Sequence, residues 1–172
     1  QRLAAAPDVP YVVVLGVAQD AGHPQAGCAR ACCAHAWKDP TKGHRVASLG
    51  LLDPATGGRW IIDATPDLPA QLQTLEALQP NRSGKVLDGV LLTHAHIGHY
   101  TGLVHLGREV MGARRVPTYA MPRMASFLKD NAPWELLVRL ENIVLRPLQD
   151  GREETLSPHL RAQPIQVPHR DE

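Results

Sequence analysis

Three histidines crowd one short stretch of the chain, Leu91-Leu92-Thr93-His94-Ala95-His96-Ile97-Gly98-His99-Tyr100. Imidazole is the commonest metal ligand among side chains and the one that titrates nearest neutrality. In extended chain, residues two apart project to the same side, so His94 and His96 converge if the strand before them runs on past Thr93. His99 follows three residues later, where the chain turns toward the next element. Three imidazoles lining one small volume at the tip of a buried strand suit a borderline ion such as Zn²⁺, which binds imidazole nitrogen at roughly 2.0–2.1 Å. A lone histidine in such a place reads as a solvent-facing loop residue or a hydrogen-bonded core residue. Three together, after an apolar strand and beside a glycine, read as metal ligands.

The cysteines form a second cluster: Cys28, Cys32 and Cys33 are the only three in the chain. An odd number so closely spaced is a poor disulfide framework, and adjacent cysteines are awkward to bridge. Thiolates are soft zinc ligands, so a metal-binding knuckle is one reading; a loop of small buried thiols is the other. Asp20 and His23 could rim a site, but read first as ordinary solvent-facing loop residues. His105 reads as structural, and Tyr100 and Thr101 either line the site or begin a helix. His35, His44 and His159 lie in polar loops and are assigned no role.

The elements that position these residues alternate between strand and helix. Residues 11–18 (YVVVLGVA) read as a buried strand. Residues 46–53 and 59–63 read as a hairpin around Pro54-Ala55-Thr56-Gly57-Gly58. Thr65 can cap a helix, with Pro66 in its first turn and Leu68, Leu72, Leu75 and Leu78 on one face, ended by Pro80 and Asn81. Residues 86–93 (VLDGVLLT) are a second buried strand, and residues 102–111 are helix-like with Leu103, Leu106 and Val110 on one side. A strand over 116–120 and helices over 122–131 and 134–142 follow. Residues 143–148 and 152–156 flank Asp150-Gly151, a hairpin signal, and residues 160–167 make a last strand. The pattern predicts an α/β or α+β layered domain with helices covering sheet faces.

Composition sets the outer limits. The chain has 172 residues, enough for one domain with a sizeable core, and is 44% apolar. Its formal charge of +1 gives no electrostatic case for nucleic acid or an anionic membrane. Its longest apolar run falls far short of the roughly 20 residues of a membrane helix. The expected partner is a small-molecule substrate. The Ala- and Pro-rich start (residues 1–10) hints at an exported chain, while clustered thiols fit a metal site in any compartment.

Thr93 to Gly102 (THAHIGHYTG) resembles the T-H-x-H-x-D-H-x-x-G signature of the metallo-β-lactamase superfamily. Trp60-Ile61-Ile62-Asp63 resembles that family's strand ending in its first Asp, and Val167-Pro168-His169 its strand-then-His. Leu15-Gly16 and Asp20-Ala21-Gly22-His23-Pro24-Gln25, followed by the cysteines, resemble the branch containing the pyrroloquinoline quinone biosynthesis protein B and related phosphodiesterases. The resemblance implies that His94, His96 and His169 bind a first metal and that His99 belongs to a second. Asp63 would fix the metal-binding loop through backbone hydrogen bonds, or cap the next helix. Cys28, Cys32 and Cys33 would hold a structural zinc. The implied cofactor is one or two Zn²⁺, with Mn²⁺ and Fe²⁺ as alternatives.

Two departures stand out. The family's signature Asp is Gly98 here, which offers no ligand. The family's later bridging Asp and last His would lie beyond Glu172. The expectation is therefore a single domain, residues 1–172, forming the N-terminal half of the αββα sandwich. Its inner sheet face would be an apolar patch, covered by the missing half or by an oligomer partner. The implied activity is that of a metallo-hydrolase using a metal-bound hydroxide on a phosphodiester, lactone or other ester, with His99 on the metal or acting as general base. Rival readings are a quinone-biosynthesis role, oxidative or as a carrier, and a non-catalytic metal- or partner-binding protein.

Overall fold

The computed structural model describes residues 7–80 and 84–169. The hairpin expected near Pro54 is there: β2 (Ser48–Asp53) and β3 (Gly58–Ile62) pair antiparallel, with Leu51 opposite Trp60. β1 (Tyr11–Gly16) pairs antiparallel with β2 and forms one edge of the sheet. From β3 onward the sheet is parallel, through β4 (Gly89–Leu91) and β5 (Val116–Ala120) to β6 (Ile143–Pro147). Parallel neighbours need crossover connections, and helices supply them.

α2 (Leu68–Leu78) connects β3 to β4; α3 (Pro122–Asp130) and α4 (Trp134–Arg139) connect β5 to β6. α1 (Ala31–Lys38) follows β1 and carries two of the cysteines. Helix residues Leu68, Leu75, Leu103, Leu106, Leu128 and Leu137 share one core with strand residues Leu15, Leu52, Ile61, Val90, Val116 and Ile143. These leucines and their β-branched partners do the work that aromatics do elsewhere. The result is an α+β layered domain with its helices packed on one sheet face.

Several expectations need correction. Residues 11–18 do not form a strand buried on both faces. β1 stops at Gly16, and Val12 and Val14 are 58% and 60% exposed while Leu15 is buried. A continuous apolar run does not tell an interior strand from an edge strand with one uncovered face. On that face Val12 and Val14 stand opposite Leu51 and Leu49, which in turn stand opposite Trp60 and Ile62. Exposed apolar surface is therefore present at the β1 edge of this face, while Trp60 further along it is buried.

α2 begins at Leu68 rather than at Pro66; the Thr65 hydroxyl accepts from the backbone N–H of Asp67, one residue before the helix. Asn81, expected to end it, lies outside the described residues, as do residues 1–6 and 170–172. β4 is only three residues long, and the chain after it is irregular. Residues 102–111 are not an α-helix. Thr101–Leu106 is a 3₁₀ segment, with Leu103 and Leu106 buried as expected but Val110 exposed. Gly102 shows why: its N–H donates to Ala64 O at 2.9 Å, and a Cβ there would lie 2.0 Å from Thr65 O. This contact clamps the segment against the end of β3 and tightens its winding.

Asp150-Gly151 does not join two paired strands. β6 pairs with β5, whereas the short β7 (Glu154–Thr155) pairs with β8 (Arg161–Ala162). The expected last strand shrinks to β8, and Ile165 and Val167 are exposed. Among the described residues no helix is long and apolar enough to cross a membrane.

Candidate metal centre

The centre is assembled at the ends of β3 and β4. Asp63 follows β3 directly and adopts a left-handed backbone (φ 66°), which Asp tolerates better than most residues. This bend turns its buried carboxylate across to the chain leaving β4. Asp63 Oδ1 accepts from Thr93 N at 2.8 Å, and Oδ2 lies 2.7 Å from His99 Nδ1. The Thr93 hydroxyl sits within 2.9 Å of both carboxylate oxygens. Asp63 thus holds the histidine loop through a backbone N–H, a hydroxyl and an imidazole. Its helix-capping alternative is not seen: α2 begins after Asp67 with no side-chain cap.

These contacts set the tautomers. A carboxylate only accepts, so the Thr93 proton goes to Asp63 and Thr93 Oγ1 must accept from His94 Nδ1, 2.8 Å away. His94 Nε2 is then left with a lone pair, 3.0 Å from His96 Nδ1. His99 likewise gives its Nδ1 proton to Asp63 and points Nε2 away from it. Burial, followed by the neighbouring imidazole of His99, pushes the His94 pKa down, favouring the neutral ligand form. The Asp63 hydrogen bond pushes His99 up against the effect of burial, with the Asp63 charge and Asp20 adding to the rise.

His169 arrives from the other end of the chain. Its ring centroid lies 4.9 Å from that of His94 and 4.7 Å from that of His96. One donor atom from each of His94, His96 and His169 lies within 4.8 Å of the others, and the same holds for Asp63, His94 and His99. All four histidines expected at the site are therefore together. The donor set, imidazoles beside carboxylates, fits zinc and similar divalent ions.

Asp20, which the sequence offers as a rim residue but favours as a solvent-facing one, stands at the histidines. Its Oδ1 stands 3.2 Å from His99 Nε2 and its Oδ2 3.9 Å from His96 Nδ1. Burial raises the Asp20 pKa, but hydrogen bonds from its own backbone and from His99 outweigh this and leave it lowered. Tyr100 does not line the site: it is buried, with its ring against Phe127 and Trp134. His159 is not idle but hydrogen-bonds Asp53. Cys28, Cys32 and Cys33 are free thiols whose sulfurs all lie within 4.8 Å of one another. His23 packs beside them, with Nε2 2.9 Å from Cys32 O.

The sequence profile of the Beta-lactamase superfamily domain matches residues 59–172, which run from the second residue of β3 through His169. The chain belongs to the β-lactamase superfamily. Among curated relatives of this member, Coenzyme PQQ synthesis protein B of Xanthomonas campestris pv. campestris (strain B100) is 31% identical over 129 residues, covering 73% of this chain and 42% of the relative. Among solved structures, Zn²⁺-bound PqqB from Methylobacterium extorquens superposes with a TM-score of 0.77 at 23% identity, covering 91% of this chain and 56% of that one. A diphosphatase from the PhnP family superposes with a TM-score of 0.61 at 25% identity, covering 85% and 52%. The chain thus spans about half the length of these relatives and covers only part of the superfamily fold.

Proposed function

We propose that this superfamily member is a metal-dependent hydrolase of small esters, whether phosphodiester, lactone or another ester, with His94, His96 and His169 holding the first cation. The observation that carries the reading is the meeting of His169 with a histidine pair far away in sequence. A divalent cation in that position supplies Lewis-acid polarisation of a carbonyl or phosphoryl oxygen and lowers the pKa of a water. Zinc is the first choice, with manganese and iron as alternatives.

The chain's own residues do the remaining work. Thr93 and Asp63 hold the Nδ1 sides of His94 and His99, which leaves Nε2 of each for other partners. His99, oriented by Asp63, is placed to accept a proton as general base or to serve a second cation. The resemblance to a PhnP-family diphosphatase favours phosphate esters, although fold alone does not choose among substrates. Cys28, Cys32 and Cys33 are proposed to hold a structural zinc. The apolar sheet face around Val12 and Val14 is proposed to be covered by further residues of the fold or by a second copy.

The test is turnover of bis-p-nitrophenyl phosphate and simple lactones by the full-length protein with zinc or manganese. Turnover lost on His94→Ala supports the reading; absence of turnover in the metal-loaded wild type contradicts it. A second reading, a role in quinone-cofactor synthesis, is favoured by the name its curated relatives carry. Bound iron with dioxygen-dependent chemistry would support that reading instead.

A further inference from the structure

The superfamily signature places a carboxylate at position 98, and this chain has glycine there. The space that a side chain at 98 would enter is taken. A Cβ on Gly98 would lie 2.5 Å from both Cα and Cβ of Asp20 and 2.7 Å from its carbonyl oxygen. The loop after β1 therefore packs directly on the bare backbone at 98, and the residue it puts there is itself an aspartate.

That loop is held firmly. Ala18 bridges Val46 on one side and His23 bridges His44 on the other. Between them Gly22 N donates to Gln19 O at 2.7 Å, closing a turn that presents Asp20. The Asp20 carboxylate then stands 3.2 Å from His99 Nε2 and 3.9 Å from His96 Nδ1. Two donors sharing one ion through bonds of about 2.1 Å stand about 3.0–3.5 Å apart at octahedral to tetrahedral angles. The Asp20–His99 pair has that spacing. The side chain is also 41% exposed, which leaves the position open toward solvent and substrate.

We propose that Asp20 supplies, from the loop after β1, the carboxylate that position 98 lacks, and that with His99 Nε2 it forms the second cation position of the site. The carboxylate then comes from a different strand end and occupies the space that a side chain at 98 would enter. A side chain at 98 and Asp20 in this position exclude one another.

The proposal rests on the metal-hydrolase reading, and its test separates the two. Metal-free full-length protein is titrated with Mn²⁺, and free ion is counted by electron paramagnetic resonance. Manganese prefers oxygen and nitrogen donors and leaves the thiolates aside. The wild type is expected to bind two equivalents. Asp20→Asn and Asp20→Ala are expected to weaken one of them at least tenfold, as is His99→Ala, while His169→Ala weakens the other.

Asp20→Asn discriminates a ligand from a spacer. Its amide oxygen still accepts a hydrogen bond from His99, so a purely positioning role would survive that change. It also preserves shape where Asp20→Ala could disturb the turn. Second-equivalent binding in Asp20→Asn within twofold of wild type overturns the proposal and leaves the first site standing. So does a wild type that binds one equivalent insensitive to Asp20. A wild type that binds no manganese or zinc at all overturns the hydrolase reading together with the proposal.

Discussion

Position 98 shows how one residue can mislead and inform at once. Read locally, glycine in place of the signature aspartate argues against a second cation. Read in three dimensions, it is the gap that admits Asp20. His94, His96 and His99 were legible because they lie in one short stretch, and His169 through the family resemblance. Asp20 was legible only as a residue that could rim the site, because its partners come from a different strand end. Gly98→Ala is expected to push the Asp20 loop away, costing about 1–3 kcal/mol of stability as overpacking does, with weaker manganese binding. Urea unfolding and the metal titration check this, and unchanged values for both would contradict it. Asp63→Ala removes the acceptor that orients His99 and ties down Thr93. It should lower metal affinity about 10–100-fold, the usual cost of losing a partner that orients a ligand; zinc titration against a chromophoric chelator would show it.

At the scale of elements, the strand–helix alternation was readable because leucine spacing and β-branched runs are local signals. What was not readable were the places where tertiary contact overrides them. Thr101–Leu106 winds as 3₁₀ because Gly102 is pressed on Thr65, and β7 leaves β6 to pair with β8. The β7–β8 hairpin, from which the chain runs on to His169, is latched to the end of β2. Ser157 Oγ donates to Asp53 Oδ2 at 2.5 Å, and His159 Nδ1 lies 3.1 Å from the same oxygen, while Ala55 N donates to Oδ1. Asp53 is fully buried. Burial alone would raise its pKa, but the bonds from Ser157, His159 and Thr56 outweigh it and leave the pKa lowered. A carboxyl with a depressed folded-state pKa contributes stability that is present above its unfolded value of about 3.9 and lost as pH falls through the folded value. Wild-type stability should therefore fall more between pH 6 and pH 3 than that of Asp53→Asn, as measured by urea midpoints. Equal slopes would contradict the latch. Ser157→Ala should cost about 1–3 kcal/mol at pH 7 because it removes a donor from a buried carboxylate.

For the molecule as a whole, a sheet with helices on one face leaves its other face to be accounted for. Val12 and Val14 stay exposed beside Leu49 and Leu51 on that uncovered face. The sequence could announce an apolar strand there but not which side of it would remain open, since both faces are apolar. Contiguous apolar surface drives association. The 172-residue chain is accordingly expected to self-associate at micromolar concentrations in analytical ultracentrifugation, and Val14→Glu to reduce this. A strictly monomeric wild type would contradict it.

Closure of a cation site by His169 together with His94 and His96 is open to direct observation. It is tested most directly by an anomalous-difference map recorded at the zinc edge from crystals of the zinc-loaded full-length protein. A strong peak bonded jointly to those three imidazoles is expected. Zinc confined to the cysteine cluster, with no peak among the three histidines, would contradict it.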